Sequence, residues 1–263
     1  MTISEIRYYD IQLQLKNCTP DCDQLREAAW RSVAMLNYFG LQGHNLPERK
    51  INALLDIKKF QGYEAYLNAC KGISKAAIIR NAKKAARNGI ICRTFSYRQW
   101  SQDVLEVNSS LPTRHGKPLP AYYHQLEYDY WVDSQPSNPE EICCPLHYVL
   151  WWGAFISDSN AQKEERLIGY IRFERIGSIG IYSKILGHGD FLKLGTMFSL
   201  HLNICQWLFS KSNVTTGIDC ILYSKWDSGG DGGGLQRWKK KCLFEPAFPV
   251  IVDCQEWFPI IRQ

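Results

Sequence analysis

The sequence lacks the marks of a zinc-binding, nucleotide-hydrolysing or membrane-spanning chain. Its ten cysteines lie at 18, 22, 70, 92, 143, 144, 205, 220, 242 and 254, and none forms a C-x-x-C pair, which argues against a zinc site. Several, Cys205 and Cys220 among them, sit inside apolar runs, where a reduced thiol serves as a small hydrophobe. Such surroundings raise a thiol's pKa, so either could act as a nucleophile only beside a histidine. The glycine-rich patch at 229–234 is not followed by G-K-[ST], so a nucleoside-triphosphate loop is unsupported. It reads as a plain flexible loop ahead of a helix, or as a flap over an acceptor channel. No run approaches about 18 consecutive apolar residues, and no basic stretch leading into an apolar one opens the chain. The expected setting is cytoplasmic and reducing, with no membrane span and no metal.

What is present is the composition of an ordinary globular protein, with 45% apolar and 22% charged residues. A chain of 263 residues can form one large domain or two modest ones. The net charge of +5 does not by itself predict nucleic-acid binding, but it suits a polyanionic cofactor or a tRNA. Nine Trp and fourteen Tyr suggest a well-filled core with aromatic rims.

In the first half, alternation over 6–15 suggests a strand, and apolar spacing suggests helices over 25–36 and, behind Pro47, over 46–60. Residues 74–89 predict a helix capped by Ser74 and stopped by Gly89. Ile78, Ala82, Ala85 and Ala86 form its inner side, while Lys75, Arg80, Lys83, Lys84 and Arg87 form a basic side that is either a solvated face or a polyanion-facing one. A strand follows over 90–95. The loop at 108–120 concentrates Arg114, His115 and Lys117 ahead of Tyr122 and Tyr123, which makes it a binding element or a decorated surface. Residues 134–145 read as a connector, and 147–156, with Trp151 and Trp152, as a buried strand.

The chain's organising stretch follows. Strands over 167–174 and 179–186 flank a glycine turn, Gly187-His188-Gly189-Asp190 breaks the pattern, and from Thr196 the residues Met197, Leu200, Ile204, Trp207 and Leu208 mark a helix capped by Thr196. A loop of small residues opening onto a helix N-terminus can hold a phosphate or a polarised carbonyl oxygen. His188, titrating near neutrality between two glycines, is the first candidate general base, Glu174 the second, and Tyr223 a candidate acid.

With the loop at 189–196, the strand-like 217–223 and the helix-to-strand passage at 234–246, roughly residues 145–250 resemble the GNAT acyltransferase superfamily. The resemblance implies an α/β fold, a mixed and mostly antiparallel sheet flanked by helices with a helical N-terminal region. It divides the chain into 1–140 and 141–263, either as two halves or as one continuous domain. It implies transfer of an acyl group from a coenzyme A or acyl-carrier-protein thioester to an amine on a small molecule or peptide. Ile185, Leu186, Gly187, Gly189, Lys193, Leu194, Gly195 and Thr196 would bind the donor, and Arg114, His115, Tyr122 and Trp152 the acceptor. Trp151, Trp152, Phe173 and Phe191 would make either an acyl channel or a core. The family's Arg or Gln with closely spaced glycines is absent, Lys193 being the one cation there, which leaves the donor open. A basic helix ahead of a strand also resembles the Fem-type transferases, built from GNAT-like halves, whose donor is aminoacyl-tRNA. A third reading is a catalytically inactive GNAT-like module that holds a peptide on its Arg114 to Tyr123 loop.

Overall fold

The computed structural model describes residues 6–14, 51–114, 118–126, 135–158, 164–226 and 233–253. His115, the helix expected over 25–36 and most of the glycine-rich patch lie outside them. The strands are β1 (Arg7–Ile11), β2 (Asn52–Asp56), β3 (Ile91–Phe95), β4 (His147–Ser157), β5 (Glu165–Ile176), β6 (Ile179–Gly187), β7 (Cys220–Lys225) and β8 (Glu245–Ile251). The helices are α1 (Tyr63–Lys71), α2 (Ala77–Arg87), α3 (Tyr97–Ser109), α4 (Thr196–Leu208) and α5 (Gly234–Lys241).

Among the described residues, all eight strands join one sheet in the order β1-β8-β2-β7-β6-β5-β4-β3. Only β1–β8 and β6–β7 pair in parallel, so this is the expected mixed, mostly antiparallel sheet flanked by helices. The parallel pair exists because α4 carries the chain from the end of β6 back to the start of β7. Its pairing covers only Ile179–Ile181 against Cys220–Leu222, after which the two strands part. Aromatic rings fill the gap: Tyr182 lies 6.1 Å from both Tyr223 and Phe244, centroid to centroid.

Alternation along β4 and β5 builds two cores. On one face Tyr148, Leu150, Trp152, Ile171 and Phe173 pack with Ile78 of α2 and with Leu200 and Ile204 of α4. On the other, Trp151 and Tyr170 pack with Tyr97, Val104 and Val107 of α3. The turn between β5 and β6 needs glycine at 177: its φ is +58°, and an added Cβ would lie 1.5 Å from the Leu13 carbonyl oxygen. Beside it Arg175, 2% exposed, donates to the carbonyls of Gly177, Val214 and Thr216 and so clips the α4–β7 connection to the hairpin. Three carbonyl acceptors, with the negative charge of Asp219 nearby, make a buried guanidinium tolerable.

Several local expectations are corrected. Residues 52–56 are a strand and not part of a helix over 46–60: all five are buried between β7 and β8, and a short apolar run carries no period that separates the two forms. Helix α2 starts at Ala77, after Ser74, Lys75 and Ala76 have all taken left-handed φ, so Ser74 does not cap it. Its inner side uses Ala77, and Ala86 is exposed. Thr196 is the first helical residue of α4; the cap position is Gly195, at φ +88°, and the Thr196 hydroxyl donates to the Phe191 carbonyl. Helix α3 had no counterpart among the expectations, and it is interrupted at Trp100, where φ and ψ leave the helical region.

Candidate active site

The loop after β6 was the expected phosphate cradle. It forms a 3-10 turn, Gly189–Leu194, and its backbone N–H groups are engaged locally. Gly189 N–H donates to Ser110 Oγ (3.0 Å), Asp190 N–H to His188 Nδ1 (3.3 Å), Phe191 N–H to the His188 carbonyl and Gly195 N–H to the Leu192 carbonyl. Helix α2 covers the entrance to α4. Gly195 and Thr196 are buried, and a Cβ on Gly195 would fall 2.2 Å from the Asn81 carbonyl oxygen. Gly187 is as enclosed, against Leu192 and Met197. Leu186 packs on Tyr170 in the α3-side core and Ile185 lines the opposite one. Lys193 and Leu194 lie on the turn itself, with the Lys193 side chain exposed and its carbonyl accepting from Lys84 Nζ (2.9 Å).

Arg114 braces this end of β6, donating to the carbonyls of Gly187 and Val107 and to Ser110 Oγ, at 3.0–3.1 Å. His188 is 6% exposed, with Nε2 beside Arg166 (3.3 Å) and 4.0 Å from the Glu106 carboxylate, which pairs with Arg166. Burial, then the Arg166 charge, lowers its pKa below the usual imidazole value. It is therefore neutral at pH 7. Nδ1 faces the Asp190 N–H and Nε2 the Arg166 guanidinium, both donors, so whichever nitrogen holds the lone pair has a donor against it, and the ring takes up another proton only by giving up that contact.

Glu174 belongs to a different place. His188 N–H bonds to the Ile168 carbonyl, so along β5 Glu174 lies about 20 Å away at strand rise. On β5 the residues Tyr170, Arg172 and Glu174 alternate with Ile171 and Phe173, and this polar side is roofed by α3 and the short turn Ala121–His124. Arg172 NH1 pairs with Glu174 Oε1 at 3.1 Å, and Tyr170 donates to Asn108 Oδ1 (2.6 Å). Lys184 sits opposite Arg172 in the sheet, with Nζ 5.7 and 5.3 Å from the ring centres of Tyr122 and Tyr123, and burial pushes its pKa down to about 8. Sequence reasoning missed both Arg172 and Lys184; the polar alternation of β5 was the signal that pointed to Arg172, whereas Lys184 lies on β6 and meets it only through the strand register.

Tyr223 and Trp152 are on the opposite, apolar face, with Tyr223 among Tyr182, Trp238 and Phe244 and Trp152 against Trp207. The three acid–base candidates are thus not brought together. That face also holds His201, another residue the sequence did not flag, fully buried in α4. Tyr182 Oη lies 2.8 Å from Nδ1, Tyr66 Oη lies 2.8 Å from Nε2, and Tyr66 donates to the Cys242 carbonyl at 3.0 Å. The proton order follows: Tyr182 donates to Nδ1 and Nε2–H donates to Tyr66. Cys205 does find a histidine partner, its Sγ 3.5 Å from His201 Nε2, but burial pushes the thiol well up and His201 down to about 3. Neither ionises near neutrality, so the pair is structural.

On the outer side of α2, Arg80, Lys83, Lys84 and Arg87 are all exposed, as is Lys75 just ahead of the helix, and Lys84 reaches across to the loop that precedes α4.

No family model matches the sequence, and no curated protein matches it. Among solved structures, the C-terminal domain of a protein described as a lysylphosphatidylglycerol synthetase from Agrobacterium fabrum aligns at TM-score 0.44 and 12% identity over 75% of this chain. L-PGS from Bacillus licheniformis aligns at TM-score 0.42 and 12% identity over 82%. The chain spans 58% and 63% of those two structures' length. FemX aligns at TM-score 0.53 and 11% identity, over 89% of this chain and 71% of FemX. The chain shares its fold with FemX.

Proposed function

We propose that the protein is a transferase that moves an aminoacyl group from aminoacyl-tRNA to an amine on a small molecule or peptide, as the Fem-type resemblance implies. The observation that carries this reading is a closed loop beside an open basic helix. Coenzyme A would need the N–H groups ahead of α4 for its pyrophosphate, and four of them already have partners. A tRNA needs an extended positive surface, and α2 offers four exposed cations, with Lys75 just ahead of it a fifth. The fold shared with FemX supports the same choice over a coenzyme A or carrier-protein thioester donor.

In the reaction the acceptor nitrogen attacks the ester carbonyl carbon, a C–N bond forms, and the C–O bond to the ribose breaks. The amine gives up a proton and the ribose oxygen gains one. Glu174, beside Arg172 on the roofed polar side of the sheet, is the proton acceptor in this reading, with His188 a brace for the loop. The test is incubation with aminoacyl-tRNA and candidate amines, read by mass spectrometry. Ribonuclease pretreatment is expected to abolish the product, and acyl-CoA is expected to give none. A product that survives ribonuclease would overturn the tRNA donor.

A further inference from the structure

Two side-chain donors on the polar side of the sheet are buried and unmatched. Arg172 uses NH1 on Glu174, but its Nε has no acceptor; Gln135 accepts the Trp151 indole N–H through Oε1 (2.8 Å), but its Nε2 has none. Both flank one ring, since the Arg172 guanidinium carbon is 5.8 Å from the Trp151 centroid. Trp151, Arg172 and Lys184 are successive partners across β4, β5 and β6, so all three point to the same side.

That arrangement is costly without a ligand. A buried donor with no acceptor loses its hydration uncompensated. Like charges directly opposite in an antiparallel pair repel, and Arg172 and Lys184 are so placed. Desolvation of Lys184, whose pKa falls to about 8, leaves it charged at pH 7, where it adds to the field at this spot. Arg172 presents a planar donor edge suited to two oxygens of one group.

We infer that Arg172, Lys184 and Gln135 form a binding site for an oxyanion, the phosphate or carboxylate of an acceptor, on the α3 side of the sheet. Naming the ligand an acceptor rests on the transferase reading; the site itself does not. The group is held by Arg172 Nε and Gln135 Nε2 with Lys184 as the neighbouring charge, beside the carboxylate of Glu174.

The Trp151 indole N–H reports on the site because it bonds to Gln135. The full chain, 15N-labelled, is titrated with inorganic pyrophosphate and separately with succinate at matched ionic strength, the Trp151 resonance being identified by Trp151→Phe. A saturable shift is expected, weakened tenfold or more by Arg172→Gln and by Lys184→Met, and unaltered by Lys71→Gln on the surface. Lys184→Met keeps the Arg172–Glu174 pair and guards against misfolding. A response to pyrophosphate alone identifies a phosphate, to succinate alone a carboxylate, and to both a general oxyanion site. No saturable shift, or one that all variants share, overturns the inference. Anion binding without transfer activity would remove the proposed function and leave this site; transfer without anion binding would do the reverse.

Discussion

At the scale of single residues, the two proton-acceptor candidates are separated by what their atoms are bonded to. His188 has the neutral form a base needs, but its Nδ1 faces the Asp190 N–H and its Nε2 the Arg166 guanidinium, so on either nitrogen the lone pair is turned to a donor. Glu174 keeps a carboxylate oxygen beyond its bond to Arg172 and stands next to the unmatched donors. Glu174→Gln is therefore expected to lower kcat by about two to four orders of magnitude, the usual worth of a general base, and His188→Gln by less than about tenfold. Steady-state rates across pH decide it. Because the His188 pKa is lowered, its titration would place an acidic limb below pH 6.5; a limb there that disappears in His188→Gln, with a large loss of kcat, would return the base to His188.

At the scale of elements, α2 joins the core to the surface. Ala77, Ile78 and Ala85 bury its inner side, its cations project outward, and Asn81 closes the entrance to α4. Amphipathic spacing accounts for the first two features, whereas the third depends on where α4 lies. If α2 carries the tRNA, replacing Lys83, Lys84 and Arg87 together by Gln should weaken tRNA binding tenfold or more. The same replacement should flatten the plot of log K against log salt by about 2 to 3, because fewer counterions are released. Filter binding at several salt concentrations measures both. An unchanged slope would mean that α2 is only a solvated face.

At the scale of the whole molecule, the Tyr182–His201–Tyr66 chain ties β6, α4, α1 and the end of α5 through one imidazole. Its pKa of about 3 in the folded protein, against about 6.5 in an unfolded chain, makes folding compete with protonation. The unfolded state binds the proton first, so this contribution is complete above pH 6.5 and is lost as pH falls toward 3, by at most about 1.4 kcal/mol per unit. Urea denaturation between pH 7 and 4 should show stability falling over that window. His201→Gln should be less stable at pH 7 and show a shallower pH dependence. A pH dependence identical to that of the parent protein would mean that His201 is not the group titrating.

The sequence by itself determined the order of elements from β4 onward, because strands long enough to show alternation, a glycine turn and an amphipathic helix are local signals. It also determined which side of α2 is basic. It could not separate strand from helix at 52–56, since a five-residue run buried on both faces has no period to read, and it left α3 unseen. The site was decided by tertiary structure alone. Whether a loop's N–H groups are open depends on Ser110 and Asn81, distant in sequence, and whether Arg172 faces Lys184 depends on the β5–β6 register. Hydrogen-bond partners and charge neighbours are set across strands and helices, where sequence separation carries no information about distance.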